Sequence, residues 1–176
     1  MARWSATGTS GHRDRLERRL YTDARDFFNA ARRASQDADT IGKQLDALEH
    51  RALGMGGGGF EPRVRSTPTH DRMGSAVASF VDREQKLRAQ QEYDYAIIDK
   101  ACALLYGTDN EHGLRSLIGW PADALFHHYL ALLTWDATAQ ILGYSASHVR
   151  NQANAALDYL DANGELFTTL GIGLAT

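Results

Sequence analysis

Several residue types are scarce in this chain of 176 residues, and each scarcity excludes something. There is one cysteine, Cys102, so no internal disulfide can form. That fits a reducing compartment and argues against a secreted, disulfide-stapled scaffold. The opening MARWSATGTSGHRDR has no apolar segment of the kind a signal peptide needs. No stretch approaches the roughly 18 consecutive apolar residues of a membrane span. The expectation is a soluble cytoplasmic protein with no membrane partner. Positive charge is scarce as well. Net charge is −3, which does not mark the whole chain as a polyanion binder.

Catalytic and metal-binding signatures are equally thin. No Gly-x-Ser-x-Gly and no HExxH occurs. The stretch GMGGGGFEPRVRSTPTH lacks the Lys that a phosphate-cradling P-loop requires, so it reads as a linker. His127 and His128 are neighbours; on a helix they point about 100° apart and do not chelate together. With His112 they read as packing or surface imidazoles. Asp109 and Glu111 lack a second carboxylate pair for acid–base work. No enzyme, cofactor or metal is expected.

What is present is helical periodicity. Apolar or small residues recur at Leu16, Leu20, Ala24, Phe27, Ala31, Ala34, Ala38, Ile41, Leu45, Leu48 and Ala52. From Leu20 the steps run four, three, four, three, a heptad seam. It predicts one long helix from about Arg13 to Leu53. A second seam runs through Met73, Val77, Phe80, Glu84, Leu87, Gln91, Asp94 or Tyr95, Ile98, Ala101 or Cys102, and Leu105, with a polar middle. It predicts a second long helix starting near Asp71 as N-cap. Joined by the glycine-rich loop, the pair is expected to form an antiparallel hairpin; a parallel dimer is the competing arrangement.

The expected fold is therefore all-α: a disordered tail over 1–12, a coiled-coil-like hairpin over 13–106 with its loop at 54–70, a helix-turn-helix domain over 107–161, and a C-terminal tail over 162–176. Within the third part, Leu114–Ile118 predicts a short helix, and Pro121 suits the first turn of another. Aromatic residues Trp120, Phe126, Tyr129, Trp135 and Tyr144 fall among leucines and read as core. The apolar tail GELFTTLGIGLAT is expected to dock, either on the C-terminal domain or on a second subunit.

The stretch LLTWDATAQILGYSASHVRNQANAALDYL carries the functional question. Thr134 can cap a helix over Trp135–Leu142, Gly143 can end it in the left-handed conformation, and Ser145 can cap the next helix. Ala139 would lie at the crossing, with Leu142, Tyr144, Val149, Ala153, Ala156 and Leu160 on a shared buried face. This is the pattern of a helix-turn-helix whose second helix enters the major groove. Yet across it there is one Arg, Arg150, and no Lys. Residues 101–176 hold only Arg115 and Arg150 as cations, against seven carboxylates, whereas residues 1–51 hold ten Lys/Arg and eight Asp/Glu.

The stretch LTWDATAQILGYSASHVRNQANAAL resembles, without a gap, the fourth-region helix-turn-helix of sigma-70-type factors. With HDRMGSAVASFVDRE, YAIID and HHYLALLTW upstream, the chain is similar to small phage and prophage regulators of the ArpU and RinA type. The resemblance covers roughly Ala24 to Asp161. It implies a cytoplasmic, phage-derived regulator of transcription that binds double-stranded DNA and has no enzymatic activity. The single Arg of the second helix points to a homodimer, which doubles the contacts and reads two half-sites, and the long hairpin would set dimer geometry or contact RNA polymerase or another host protein. Groove-facing positions would fall on Ser145, Ala146, Ser147, His148, Arg150, Asn151 and Asn154. Asn suits adenine, Arg suits guanine, and Ser suits either. Ala, His and Ala occupy three positions that are usually basic in such helices, and Thr138 and Gln152 stand where an apolar residue is usual. The alternative reading is a protein-interaction module, such as a phage inhibitor, in which the same unit docks on a host protein.

Overall fold

The computed structural model describes residues 20–55, 70–108 and 112–174, with side chains at 52–55 and 70–77 left aside. The expected tail over 1–12, the start of the first helix over 13–19 and the glycine-rich stretch between Met55 and His70 lie outside the described residues. The fold is all-α apart from one short strand pair. Strand β1 is Leu20–Tyr21; helix α1 is Ala24–Met55 and helix α2 is His70–Tyr106. Short helices α3 (Leu114–Ile118) and α4 (Pro121–Leu125) follow, and α4 runs on into a π-helical turn over Phe126–Leu130. Helices α5 (Trp135–Leu142), α6 (Ala146–Ala162) and α7 (Glu165–Thr169) lead to strand β2 (Gly173–Leu174).

The first helix starts later than its apolar periodicity predicts. Leu20 is in a strand and 65% exposed, outside the seam. The reason is a cap. Asp23 accepts a hydrogen bond from the Asp26 N–H at 2.7 Å, and Asp26 accepts one from the Thr22 N–H at 3.2 Å. These carboxylates satisfy N–H groups at the helix start and oppose the positive end of its dipole.

The two long helices pack antiparallel. Arg88 on α2 reaches Glu49 on α1 at 3.5 Å, and Arg83 lines a shallow cleft with Gln44, Leu48 and Arg51. At the other end Phe27, Ala31 and Ala34 share a core with Ile97, Ala101 and Leu105. The antiparallel hairpin is thus made within one chain.

Burial is concentrated at that base. One cluster of buried side chains includes Phe27 and Phe28 of α1, Leu104 and Leu105 of α2, Leu125, Val149, Leu157 and Leu160. Phe167 of α7 meets Phe27 edge-on, with ring centroids 5.7 Å apart. Each such aromatic pair adds about 0.5–1.5 kcal/mol beyond its area. The C-terminal tail docks here, and β2 pairs in parallel with β1, Leu20 opposite Gly173 and Tyr21 opposite Leu174. Lys100 donates to the Gly171 carbonyl at 2.9 Å and ties the tail to α2.

Candidate functional site

Helices α5 and α6 form the helix-turn-helix, and local chemistry fixes their geometry. Thr134 is extended and its hydroxyl accepts from the Ala137 N–H at 3.2 Å. Gly143 adopts φ 75°, ψ 25°, a left-handed position that favours glycine, and both its own N–H and that of Tyr144 donate to the Ala139 carbonyl. Ser145 is extended and its hydroxyl accepts from the His148 N–H at 3.3 Å. Ala139 is buried at the crossing, as are Val149, Ala153, Ala156 and Leu160 along α6.

Tyr144 departs from the expected buried face. It is 48% exposed and stacks on Trp120, with centroids 4.6 Å apart and planes 19° from parallel. His148 leans on both rings. Of the other aromatic residues expected in the core, Tyr129 is buried, while Phe126 and Trp135 are half-buried at its edge. Thr138, where an apolar residue is usual, is fully buried, and its hydroxyl has no hydrogen-bond partner.

The outward strip of α6 carries Ser147, Arg150 and Asn151, all exposed, and the half-buried Asn154. These positions recur every three or four residues and so share one face. The other candidate positions differ. Ala146 is half-buried and packs on the core. Ser145 acts as the cap just described, and His148 lies toward the Trp120–Tyr144 stack. Asp158, one turn beyond Asn154, is exposed on the same face and gives its C-terminal end a negative charge. The usable part of the strip is therefore the N-terminal half of α6.

Arginines from α1 lie beside this strip. Arg25 donates from Nη2 to the Asn154 side-chain oxygen at 3.1 Å. Arg32, two turns along α1, donates to the His128 carbonyl. Arg150 lies over the Trp135 ring, 5.8 Å from its centroid. The same indole stacks on His128, with ring centroids 3.7 Å apart and planes 18° from parallel. Burial holds the His128 imidazole below its ordinary pKa, and the nearby Arg32 and Arg150 charges push the same way. The ring is then neutral near pH 7. Its Nδ1 lies 2.9 Å from the Leu133 carbonyl, which can only accept, so Nδ1 carries the proton.

The remaining histidine and carboxylate candidates do not converge. Among the described residues no group of His, Cys, Asp or Glu has the arrangement of a metal site. Asp123 accepts from the Tyr106 hydroxyl at 3.0 Å and pairs with Arg115 at 3.3 Å, which braces α2, α3 and α4. Burial raises the Tyr106 pKa far above its usual value, and Asp123 adds to the shift. No described helix is long and apolar enough to cross a membrane. No protein-family model, curated protein or solved structure matches the chain.

Proposed function

We propose that this chain is a DNA-binding transcriptional regulator of phage or prophage type, acting in the cytoplasm as a homodimer with no enzymatic activity. The observation that carries the reading is the cap-fixed α6, which turns Ser147, Arg150, Asn151 and Asn154 outward on one strip. These are side chains with the donors and acceptors that read base edges in the major groove. In this reading Arg150 contacts guanine and Asn151 contacts adenine, Ser147 sits at a base edge or phosphate, and Ser145 and His148 lie at the rim. A second copy doubles the contacts and supplies a second half-site. The resemblance to sigma-70-type helix-turn-helix units supports the same assignment, with RNA polymerase as a further partner.

A second reading has one observation in its favour. Ile141 is 58% exposed beside the exposed Tyr144, at the turn of the helix-turn-helix. Exposed apolar side chains there suit docking on a host protein.

The test is fluorescence anisotropy on a duplex selected by this protein from a random pool, against a scrambled duplex of equal length. Sequence-dependent binding is expected, with Arg150→Ala weakening it by about 1–3 kcal/mol. Failure to select any duplex, with no binding at about 50 mM salt where phosphate attraction is strong, would sink the DNA reading and favour the protein-docking one.

A further inference from the structure

A recognition helix with one arginine is short of charge. Phosphate neutralisation supplies most non-specific affinity, with a salt slope of about −0.9 per phosphate contacted. Arg150 alone cannot supply several such contacts. From the positions of Arg25 and Arg32 we infer that these α1 residues, beside the base-reading Arg150, form a phosphate cradle that grips the DNA backbone next to the groove α6 enters, and that Asn154 positions Arg25 and does not read a base. The inference rests on the DNA reading above and assigns roles within it.

The three arginines are linked through shared neighbours. Asn154, which holds Arg25, is one helical turn from Arg150 on α6, and side chains at that spacing are neighbours. Arg25 and Arg32 both act on the Tyr129 hydroxyl, and Arg32 and Arg150 both act on the His128 ring. Along α1, Arg25 and Arg32 are two turns apart, about 10 Å. Each guanidinium is held by a neutral group: an amide oxygen, a backbone carbonyl and an indole face. Among the described residues none of the three is ion-paired. The carboxylates at the start of α1 are engaged with backbone N–H groups instead: Asp23 with Asp26, Asp26 with Thr22, and Asp161 with Ala24. The arginines are therefore pre-oriented by neutral partners and hold no ion pair of their own, so each can pair with a bound anion, while Asp23, Asp26, Asp158 and Asp161 keep their charges on the same side of the molecule.

The role of Asn154 follows from donor and acceptor bookkeeping at one amide. Bidentate recognition of adenine uses the amide oxygen to accept from N6 and the amide nitrogen to donate to N7. In Asn154 the oxygen already accepts from Arg25. A second lone pair remains on that oxygen, but the half-buried amide is oriented by the Arg25 guanidinium, so its plane is set by that contact and not by a base edge. Asn151 has the exposure for that task.

The test compares wild type with Arg25→Ala/Arg32→Ala, Arg25→Gln, Asn154→Ala and Asn151→Ala, on the selected and scrambled duplexes across a salt series. The double variant should flatten the salt slope by close to two phosphates on both duplexes. Between about 50 and 200 mM salt it would lose roughly tenfold less affinity than wild type does. Arg25→Gln keeps a donor for Asn154 and should still flatten the slope by about one phosphate. Asn154→Ala should weaken both duplexes by similar factors, whereas Asn151→Ala should weaken only the selected one. An unchanged slope in the double variant, alongside sequence-dependent wild-type binding, overturns the cradle and leaves the DNA reading standing. Loss confined to the selected duplex in Asn154→Ala overturns the positioning role. If wild type binds neither duplex, the DNA reading fails and tripolyphosphate becomes the probe. A saturating shift of the Trp135 indole N–H resonance, absent in the double variant, supports the cradle as an anion site; no shift overturns it. Unchanged circular dichroism and Tm show that each variant is folded.

Discussion

Thr138 illustrates how a single buried oxygen sets stability. Its side chain is fully enclosed between the helices of the helix-turn-helix, and its hydroxyl lacks a partner. Leaving such a group unsatisfied costs about 1–3 kcal/mol. Replacing it by a methyl of similar shape removes that cost, so Thr138→Val is expected to stabilise by about 1 kcal/mol. In a chain of this size that is a Tm rise of about 2–4 °C, read by calorimetry; a fall would mean the hydroxyl is satisfied in solution. Asp94 poses a related problem with charge. It is buried in the hairpin seam, with one oxygen taking a hydrogen bond from Gln90 at 3.1 Å and the other unpartnered. Burial raises its pKa above the ordinary 3.8, and Asp37 pushes the same way. The folded state therefore holds the proton more tightly than the unfolded chain does. The neutral acid is accommodated at low pH, and stability falls as pH rises from 3.8 through the folded pKa. Asp94→Asn should be more stable than wild type at pH 7, and the gap should narrow as pH falls toward 4. Urea denaturation at both pH values checks this, and a gap that widens toward acid reverses the assignment.

At the scale of elements, the long helices, the short α3 and the caps of α5 and α6 are legible in the sequence. Each is written in local chemistry: heptad spacing, Pro121 at a first turn, and Thr134, Gly143 and Ser145 in cap positions. The start of α1 was legible too. Asp23 followed by Asp26 is a cap signal, but the apolar seam running back through Leu20 and Leu16 obscured it. The strand pair and the arginine cluster were not legible. Two-residue strands carry no periodic signal. Arg25 meets Asn154 only because Asp161, at the end of α6, accepts from the Ala24 N–H at 2.6 Å and binds the start of α1. That contact joins residues 137 apart in the chain and has no local signature. It makes α6 part of the α1 cap. Asp161→Ala should cost about 1 kcal/mol, the usual loss for a helix cap. It should also speed amide hydrogen exchange in the first turn of α1 while leaving the α5–α6 turn unchanged. Equal loss of protection in both places would mean the two helices open as one unit. The docked tail is anchored differently, by apolar burial. Phe167 is fully enclosed against Phe27, so Phe167→Ala should cost about 3–5 kcal/mol.

For the whole molecule, the distribution of burial matters more than its sum. The shared core occupies the base, where α1, α2, α4, α6 and α7 meet. Beyond Asp94 the hairpin continues, among the described residues, as α1 and α2 alone. From Ala78 to Tyr93 no residue of α2 is buried, and among the described side chains of α1 past Ala38 only Ile41 and Leu45 are buried. Its bridges, Lys43 to Asp39 and Arg88 to Glu49 and Glu84, join largely exposed side chains, where such pairs contribute about 0–1 kcal/mol. A two-helix arm with so little enclosed area should open at lower free energy than the base that carries the α6 strip. Gly42 gives a clean handle on this. It is in the middle of α1 at an ordinary helical position, and a methyl group added there meets nothing within 4 Å. Gly42→Ala should therefore gain about 1 kcal/mol from helix propensity alone. If the arm opens separately, exchange protection should rise for amides in its outer part while those of Phe27, Leu105 and Leu157 stay unchanged. If the chain unfolds as one cooperative unit, the gain should instead appear at the most protected core amides and in the global unfolding free energy. The first outcome would leave the arm free to move on a rigid base. The second would make the position of the arm a fixed property of that base, so that a load on the hairpin would reach Arg25 and α6 directly.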